Sequence, residues 1–424
     1  MTHAPTYPTV ISRRRLLVLG GIAALMLVGL AAFGYFFLWP ALVIDSVEAD
    51  LRRHDPAAAR ARLDRYLARH PGDAHALFLA AQAARRADAC ADAERFLTAF
   101  EEASGPTDAS KLEWALLGVQ QGDFAGHEQR LRADAGRNTP DTPAVLEALA
   151  RGYNAAYRWP DALAALDRLL TLSPGHAIAL TLRGTIADRL RKPDDAETDF
   201  RRAVELTPVS PAARLALADH LTRHGYTREA VQHYELVLKT RPGDPAALLG
   251  LARAHADAAD LDGTRQRLDE LLAADPDHAD ALVERGRLEL RRKDSAAAEP
   301  FLARAVRAAP WHRDANRLHL AALKDLGRTE EAARCEARIA ELTAEDGVGG
   351  RLKLRARDNP GDVAVRWELW QWSKRNGQIG EGVAWLTEVL RAEAGHRQAH
   401  AALAEYFEKA GQPRRAAQHR DMTK

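Results

Sequence analysis

The sequence predicts an all-α protein, in which one membrane-spanning helix is followed by a solenoid of helical hairpins. Three observations predict it. Pro106, Pro140, Pro174, Pro208, Pro242, Pro276 and Pro310 stand 34 residues apart in unbroken succession, the spacing of one unit stacked repeatedly rather than of one globular core. Between these prolines, apolar and small residues recur at i, i+4 and i+7, as on one face of a helix. Near the N-terminus, the 29 residues 16–44 carry no charge, and about 20 apolar residues suffice to cross a bilayer.

The N-terminal segment comes first. Arg13, Arg14 and Arg15 precede the uncharged run, and Asp45, Glu48 and Asp50 follow it. By the positive-inside rule the N-terminus lies in the cytoplasm and everything beyond residue 45 lies outside. Tyr35, Phe36, Phe37 and Trp39 form an interfacial aromatic belt, and Pro40 is expected to end the helix. A cleaved signal peptide would have an apolar core of only about 7–15 residues. The Arg13-Arg14 pair also resembles a twin-arginine export signal, but the length of the run favours an uncleaved anchor.

Composition sets the boundaries of function. Net charge is +1, from 60 basic and 59 acidic residues, so no overall field draws the chain to nucleic acid. Cys90 and Cys335 are far apart in the array, no CxxC spacing occurs, and neither a disulfide nor a haem or zinc-ribbon site is expected. No glycine-rich phosphate loop or nucleophile elbow is present. A non-enzymatic chain without cofactor is expected.

The repeat is clearest over residues 177–210. Leu180, Gly184 and Ala187 mark a first helix, Lys192-Pro193-Asp194 breaks it, and Ala196, Phe200, Ala203 and Val204 mark a second. In register, position 8 is Ala150, Gly184, Ala218, Ala252 and Gly286. Position 20 is Ala59, Ala93, Ala162, Ala196, Ala230, Ala298, Ala332 and Ala416. Small residues there let the two helices cross closely. The pattern resembles the tetratricopeptide repeat, with small residues at positions 8, 20 and 27 and proline at 32. It covers roughly residues 40–424 in about eleven units. The resemblance implies a right-handed superhelix whose first helices line a concave groove through positions 2, 5, 9 and 12.

Three departures stand out. Unit 109–142 has Leu116 and Glu128 in place of small residues, which predicts wider helix spacing. After Pro310 the next proline is Pro360, so 16 residues are inserted. Trp370 and Gly382 occupy positions 8 and 20 of the unit beyond. The expected organisation is a cytoplasmic tail (1–15), the transmembrane helix (16–44), the main array (45–346), a hinge or insertion around Gly347-Val348-Gly349-Gly350 (347–362), and C-terminal repeats (363–424).

Groove positions supply the candidate contacts. Asp219, Arg253 and Arg287 stand at position 9 of successive units, with Arg317 at position 5 of the next. Arginine's planar fork suits a carboxylate, so the stripe reads as a clamp for an acidic segment or a C-terminus; its alternative is solvated arginine paired with neighbouring acids. Trp367, Trp370, Trp372 and Trp385 cluster; Trp370 and Trp385 are assigned to packing, Trp367 and Trp372 to partner contact. His220 and His224, and His396 and His400, have zinc-ligand spacing, but two ligands are not a site and they read as surface histidines. Asp260, Asp262 and Gly263 read as a turn rather than a calcium loop.

These features imply a scaffold anchored in the cytoplasmic membrane that binds protein partners on the extracytoplasmic, periplasmic side. Alternatives are a cytoplasm-facing scaffold for envelope or lipopolysaccharide assembly, and a metal-dependent enzyme or enzyme accessory near His220 and His224.

Overall fold

The computed structural model describes residues 39–52, 55–359 and 361–423. Among these residues there are 22 helices. The chain divides into two compact units, Met1–Leu117 and Gly118–Lys424. The first holds α1 (Trp39–Arg52), α2 (Pro56–Leu67), α3 (Ala74–Arg86), α4 (Cys90–Ser104) and most of α5 (Asp108–Gln120). The second runs through α6 (Phe124–Gly136), α7 (Thr142–Ala155), α8 (Trp159–Leu172), α9 (Ala177–Arg189), α10 (Pro193–Leu206), α11 (Pro211–Arg223), α12 (Thr227–Thr240) and α13 (Pro245–Asp257). It continues with α14 (Leu261–Ala274), α15 (Ala279–Arg291), α16 (Ser295–Ala308), α17 (Arg313–Asp325), α18 (Thr329–Asp358), α19 (Val363–Arg375), α20 (Ile379–Ala392), α21 (Arg397–Lys409) and α22 (Pro413–Asp421).

The 34-residue period has a local cause. The corners that begin at Ser173, Thr207, Arg241, Asp275 and Ala309 are four-residue turns with proline second, where its fixed φ is pre-set. The fourth residue returns its N–H to the first residue's carbonyl: His176 to Ser173 at 3.1 Å, Ser210 to Thr207 at 3.0 Å, Asp244 to Arg241 at 3.1 Å, His278 to Asp275 at 3.2 Å, His312 to Ala309 at 2.9 Å. That fourth residue then caps the next first helix by accepting the N–H three residues on. Ser210 and Asp244 do so through oxygen. His176, His278 and His312 do so through a ring nitrogen, at 3.1 to 3.3 Å, in the role that serine and aspartate usually fill. Inside the hairpins, Tyr157, Arg191, Gly225, Ala259, Lys293 and Gly327 all have positive φ, the left-handed residue that closes a helix.

The small-residue positions do what their spacing predicts. Ala196, Ala230 and Ala298 at position 20 are fully buried, as are Ala150 and Ala218 at position 8. A Cβ on Gly184 would lie 2.9 Å from the Phe200 ring and 3.2 Å from the Ala196 carbonyl. Overpacking of this kind costs about 1–3 kcal/mol. Gly184→Leu should therefore lower the unfolding free energy from denaturant titration by about 1–3 kcal/mol, whereas Gly175→Ala, at an open corner, should leave it nearly unchanged.

Several expectations are corrected. Pro40 stands in the first described turn of α1, which runs on to Arg52, a position where proline's missing N–H costs no helix bond; the helix it was expected to end lies outside the described residues. Residues 347–358 are no hinge. They complete the 30-residue α18, and Gly349 is flat so that the Trp372 ring can lie on it. At the next hairpin the usual sizes are exchanged: Trp370 is 5% exposed and packs on Gly382, where a Cβ would come within 2.6 Å of the ring. The expected transmembrane helix lies outside the described residues apart from 39–44. Among the described residues no helix is long and apolar enough to cross a membrane.

Within the second unit the two ends meet. Glu128 on α6 accepts from Arg158 at 2.9 and 3.0 Å and from Arg391 on α20 at 3.0 Å. Arg415 on α22 donates to the Gln121 carbonyl.

Candidate functional site

The curvature of the second unit identifies its inner face. Successive first helices (α9, α11, α13, α15 and α17) pack on one another, while the second helices make no comparable contact. The shorter, inner side of the bend is thus built of first helices, as the repeat register implied.

Along it lies a ladder of alternating charge. Asp219 on α11 accepts from the Tyr234 hydroxyl at 2.6 Å. Arg253 on α13 donates to Glu284 on α15 at 3.0 Å. Arg287 stands 3.4 Å from the same Glu284 and 3.4 Å from Asp314 on α17. Glu284, 12% exposed at its side chain, therefore takes both central arginines, and the clamp is largely neutralised from within. Arg317 differs: it is exposed and, among the described residues, has no ion pair. It borders a cleft lined by Arg313, Arg317, Ile339, Leu342 and Thr343, enclosing about 180 Å³ open to solvent. Arg313 itself is taken by Asp346 at 2.7 Å.

The tryptophans separate. Trp372 is 3% exposed, so its assignment to partner contact is corrected: it packs with Leu352, Ala356, Val365 and Leu369, and its indole N–H donates to the Glu345 carbonyl at 2.7 Å. The inserted turns of α18 provide the wall that makes it a core residue. Trp367 is half-buried beside the His396 ring, 5.3 Å between centroids.

The histidines are not all at the surface. His220 is fully buried; its Nδ1 lies 2.8 Å from Asp188 Oδ1, and His224 Nε2 lies 3.9 Å from the same oxygen. His396 caps α21. His400 Nε2 meets the Ala394 carbonyl at 2.9 Å, and its Nδ1 meets His419 Nδ1 at 2.8 Å. Asp260 caps α14 through the Gly263 N–H at 2.9 Å, the turn that was expected.

Glu284 and Asp188 were not found by sequence reasoning, and Glu128 was noted only as a bulky residue at a small-residue position. Each partners a residue about one repeat away or further, so no local motif contains it. Register could have found two of them. Asp188 is position 12 of its unit and His220 position 10 of the next; Glu284 is position 6 and Arg253 position 9 of the unit before.

Models of the tetratricopeptide repeat match residues 45–109, 147–211, 181–245 and 221–288. A curated relative, the protein CTR9 homolog of Arabidopsis thaliana, is 34% identical over 103 residues. The match covers 24% of this chain and spans only 9% of that protein. Among solved structures, PilW, described as a widely conserved type IV pilus biogenesis factor, is 21% identical, with TM-score 0.45 over 47% of this chain and 93% of its own. The pilF protein of Pseudomonas aeruginosa is 17% identical, with TM-score 0.41 over 49% and 94%. YrrB, a TPR protein with an unusual peptide-binding site, is 19% identical, with TM-score 0.37 over 44% and 95%.

Proposed function

From a chain that carries tetratricopeptide repeats, we infer a scaffold tethered to the cytoplasmic membrane that binds a protein partner along its first-helix face on the extracytoplasmic side. The sequence supports the tether through residues 16–44, and the side through Arg13–Arg15 before them and Asp45, Glu48 and Asp50 after them. No catalysis is assigned to the chain. Tethering raises the local concentration of a partner held by many weak contacts.

The observation that carries the binding reading is Arg317, an exposed guanidinium with no ion pair among the described residues, at the rim of a cleft walled by half-buried Ile339 and buried Leu342. A partner's carboxylate finds there a cation it need not take from another acid. Arg253 and Arg287 would release Glu284 only at the cost of leaving that carboxylate buried and unpaired.

An acidic peptide with a free C-terminal carboxylate, labelled for fluorescence anisotropy, should bind the full-length chain in detergent. Arg317→Glu should weaken it about tenfold, as loss of one charge-assisted pair of roughly 1.4 kcal/mol would. Equal binding by this variant would sink the assignment. A periplasm-only reporter fused to the C-terminus tests the side separately, and an inactive fusion would reverse the topology.

A further inference from the structure

We propose that Asp188, His220 and His224 form a binding site for a divalent transition ion of the zinc class. One ligand atom from each residue lies within 4.8 Å of the others. Asp188 comes from the last turn of α9, His220 from the last turn of α11, and His224 is the cap residue that ends α11. The two histidines are one helical turn apart, so their rings stand over each other with centroids 4.5 Å apart.

The distances suit such an ion. Tetrahedral zinc with bonds of about 2.0–2.1 Å holds its ligand atoms roughly 3.3 Å apart. The two separations from Asp188 Oδ1, 2.8 Å to His220 and 3.9 Å to His224, lie on either side of that value. Small side-chain rotations would equalise them. Imidazole nitrogens with one carboxylate oxygen are donors that suit zinc, and three protein ligands leave a fourth position for water. His224, 37% exposed at its side chain, provides the solvent side and an entry path.

The buried ring supplies an independent observation. His220 Nε2 is buried and has no hydrogen-bond partner, yet Glu197 Oε2 lies 3.8 Å away. A neutral ring that donates Nδ1–H to Asp188 leaves the Nε2 lone pair facing that carboxylate. An ion on Nδ1 reverses this: the proton moves to Nε2, where it points at Glu197. A metal-bound imidazole ordinarily donates its other N–H to a carboxylate in this way. Arg223 Nη2 holds Asp188 Oδ2 at 2.6 Å, which leaves Oδ1 to the ion.

Equilibrium dialysis of the purified full-length chain against zinc, followed by metal analysis, tests the site. One zinc per chain is expected. His224→Ala, at an exposed position, should weaken it at least tenfold, and Glu197→Gln by about 10–100-fold through the outer carboxylate. His419→Gln should leave it unchanged, and circular dichroism checks that each variant stays folded. Absence of stoichiometric zinc would overturn the proposal, and so would zinc retained with equal affinity in His224→Ala and Glu197→Gln.

Discussion

Replacing Trp372 with alanine should cost about 3–5 kcal/mol, the range for emptying a large aromatic site in a core. The indole is enclosed by Leu352, Ala356, Val365 and Leu369, lies against Gly349 and has the Lys353 ammonium 5.0 Å over its ring. Its removal also takes the indole N–H away from the Glu345 carbonyl, which keeps only its place in the helix ladder. Because this contact joins the inserted turns of α18 to α19, the loss should be local before it is global. Hydrogen exchange should quicken first in residues 345–375, with the denaturant midpoint falling together with it. A change below about 1 kcal/mol would mean that the inserted turns are held by something else.

The second large effect is a loss of stability in acid. His400 Nε2–H donates to the Ala394 carbonyl, so its Nδ1 must accept, and His419 Nδ1–H is the donor between the two rings. Burial, then the neighbouring His400 and Arg415, push the His419 pKa down to about 4, with Asp123 pulling the other way. Stacking of Phe407 on the His419 ring, 5.5 Å between centroids, fits a neutral imidazole. In the unfolded chain a histidine titrates near 6.5. Between those values the unfolded state binds the extra proton, so stability is full above about pH 6.5 and falls as pH drops toward 4. With solvent reaching part of the ring, the loss is on the order of 2 kcal/mol. It should appear as a pH-dependent quickening of exchange in α21 and α22. His419→Gln, whose amide can still donate to His400, should remove most of the pH dependence of exchange in α21 and α22, while the dependence contributed by His127, His233 and His319, also lowered by burial, remains. An equally weak dependence in α21 and α22 of the unaltered chain would contradict the account.

The fold was legible because its signals are local. A proline at the second position of a corner, a cap two residues later and a small residue at most crossings are all dictated within one hairpin, so regular spacing exposed them. Where an insertion changed the local context, the reading failed. Gly347-Val348-Gly349-Gly350 has the composition of a linker, and only the opposing Trp372, in the next hairpin, explains why flat residues there belong to a helix. The candidate site was half legible for the same reason. Register placed Arg253, Arg287 and Arg317 on the inner face, but Glu284, which takes the first two, stands at position 6 of Arg287's own unit, outside the groove positions 2, 5, 9 and 12. His220 and His224 were visible as a pair, and their third member was hidden 32 residues upstream.

The salt link between Glu128 and Arg391 alters what kind of folding problem this chain poses. In an open row of repeats each member feels only its neighbours, and terminal members fray independently. Here Glu128 and Arg391, 263 positions apart, are joined by one ion pair, so fraying at either end must also pull on the other. Truncation from the C-terminus should consequently loosen α6 as well as the new end, and unfolding of residues 118–424 should be sharper than a sum of pairwise couplings allows.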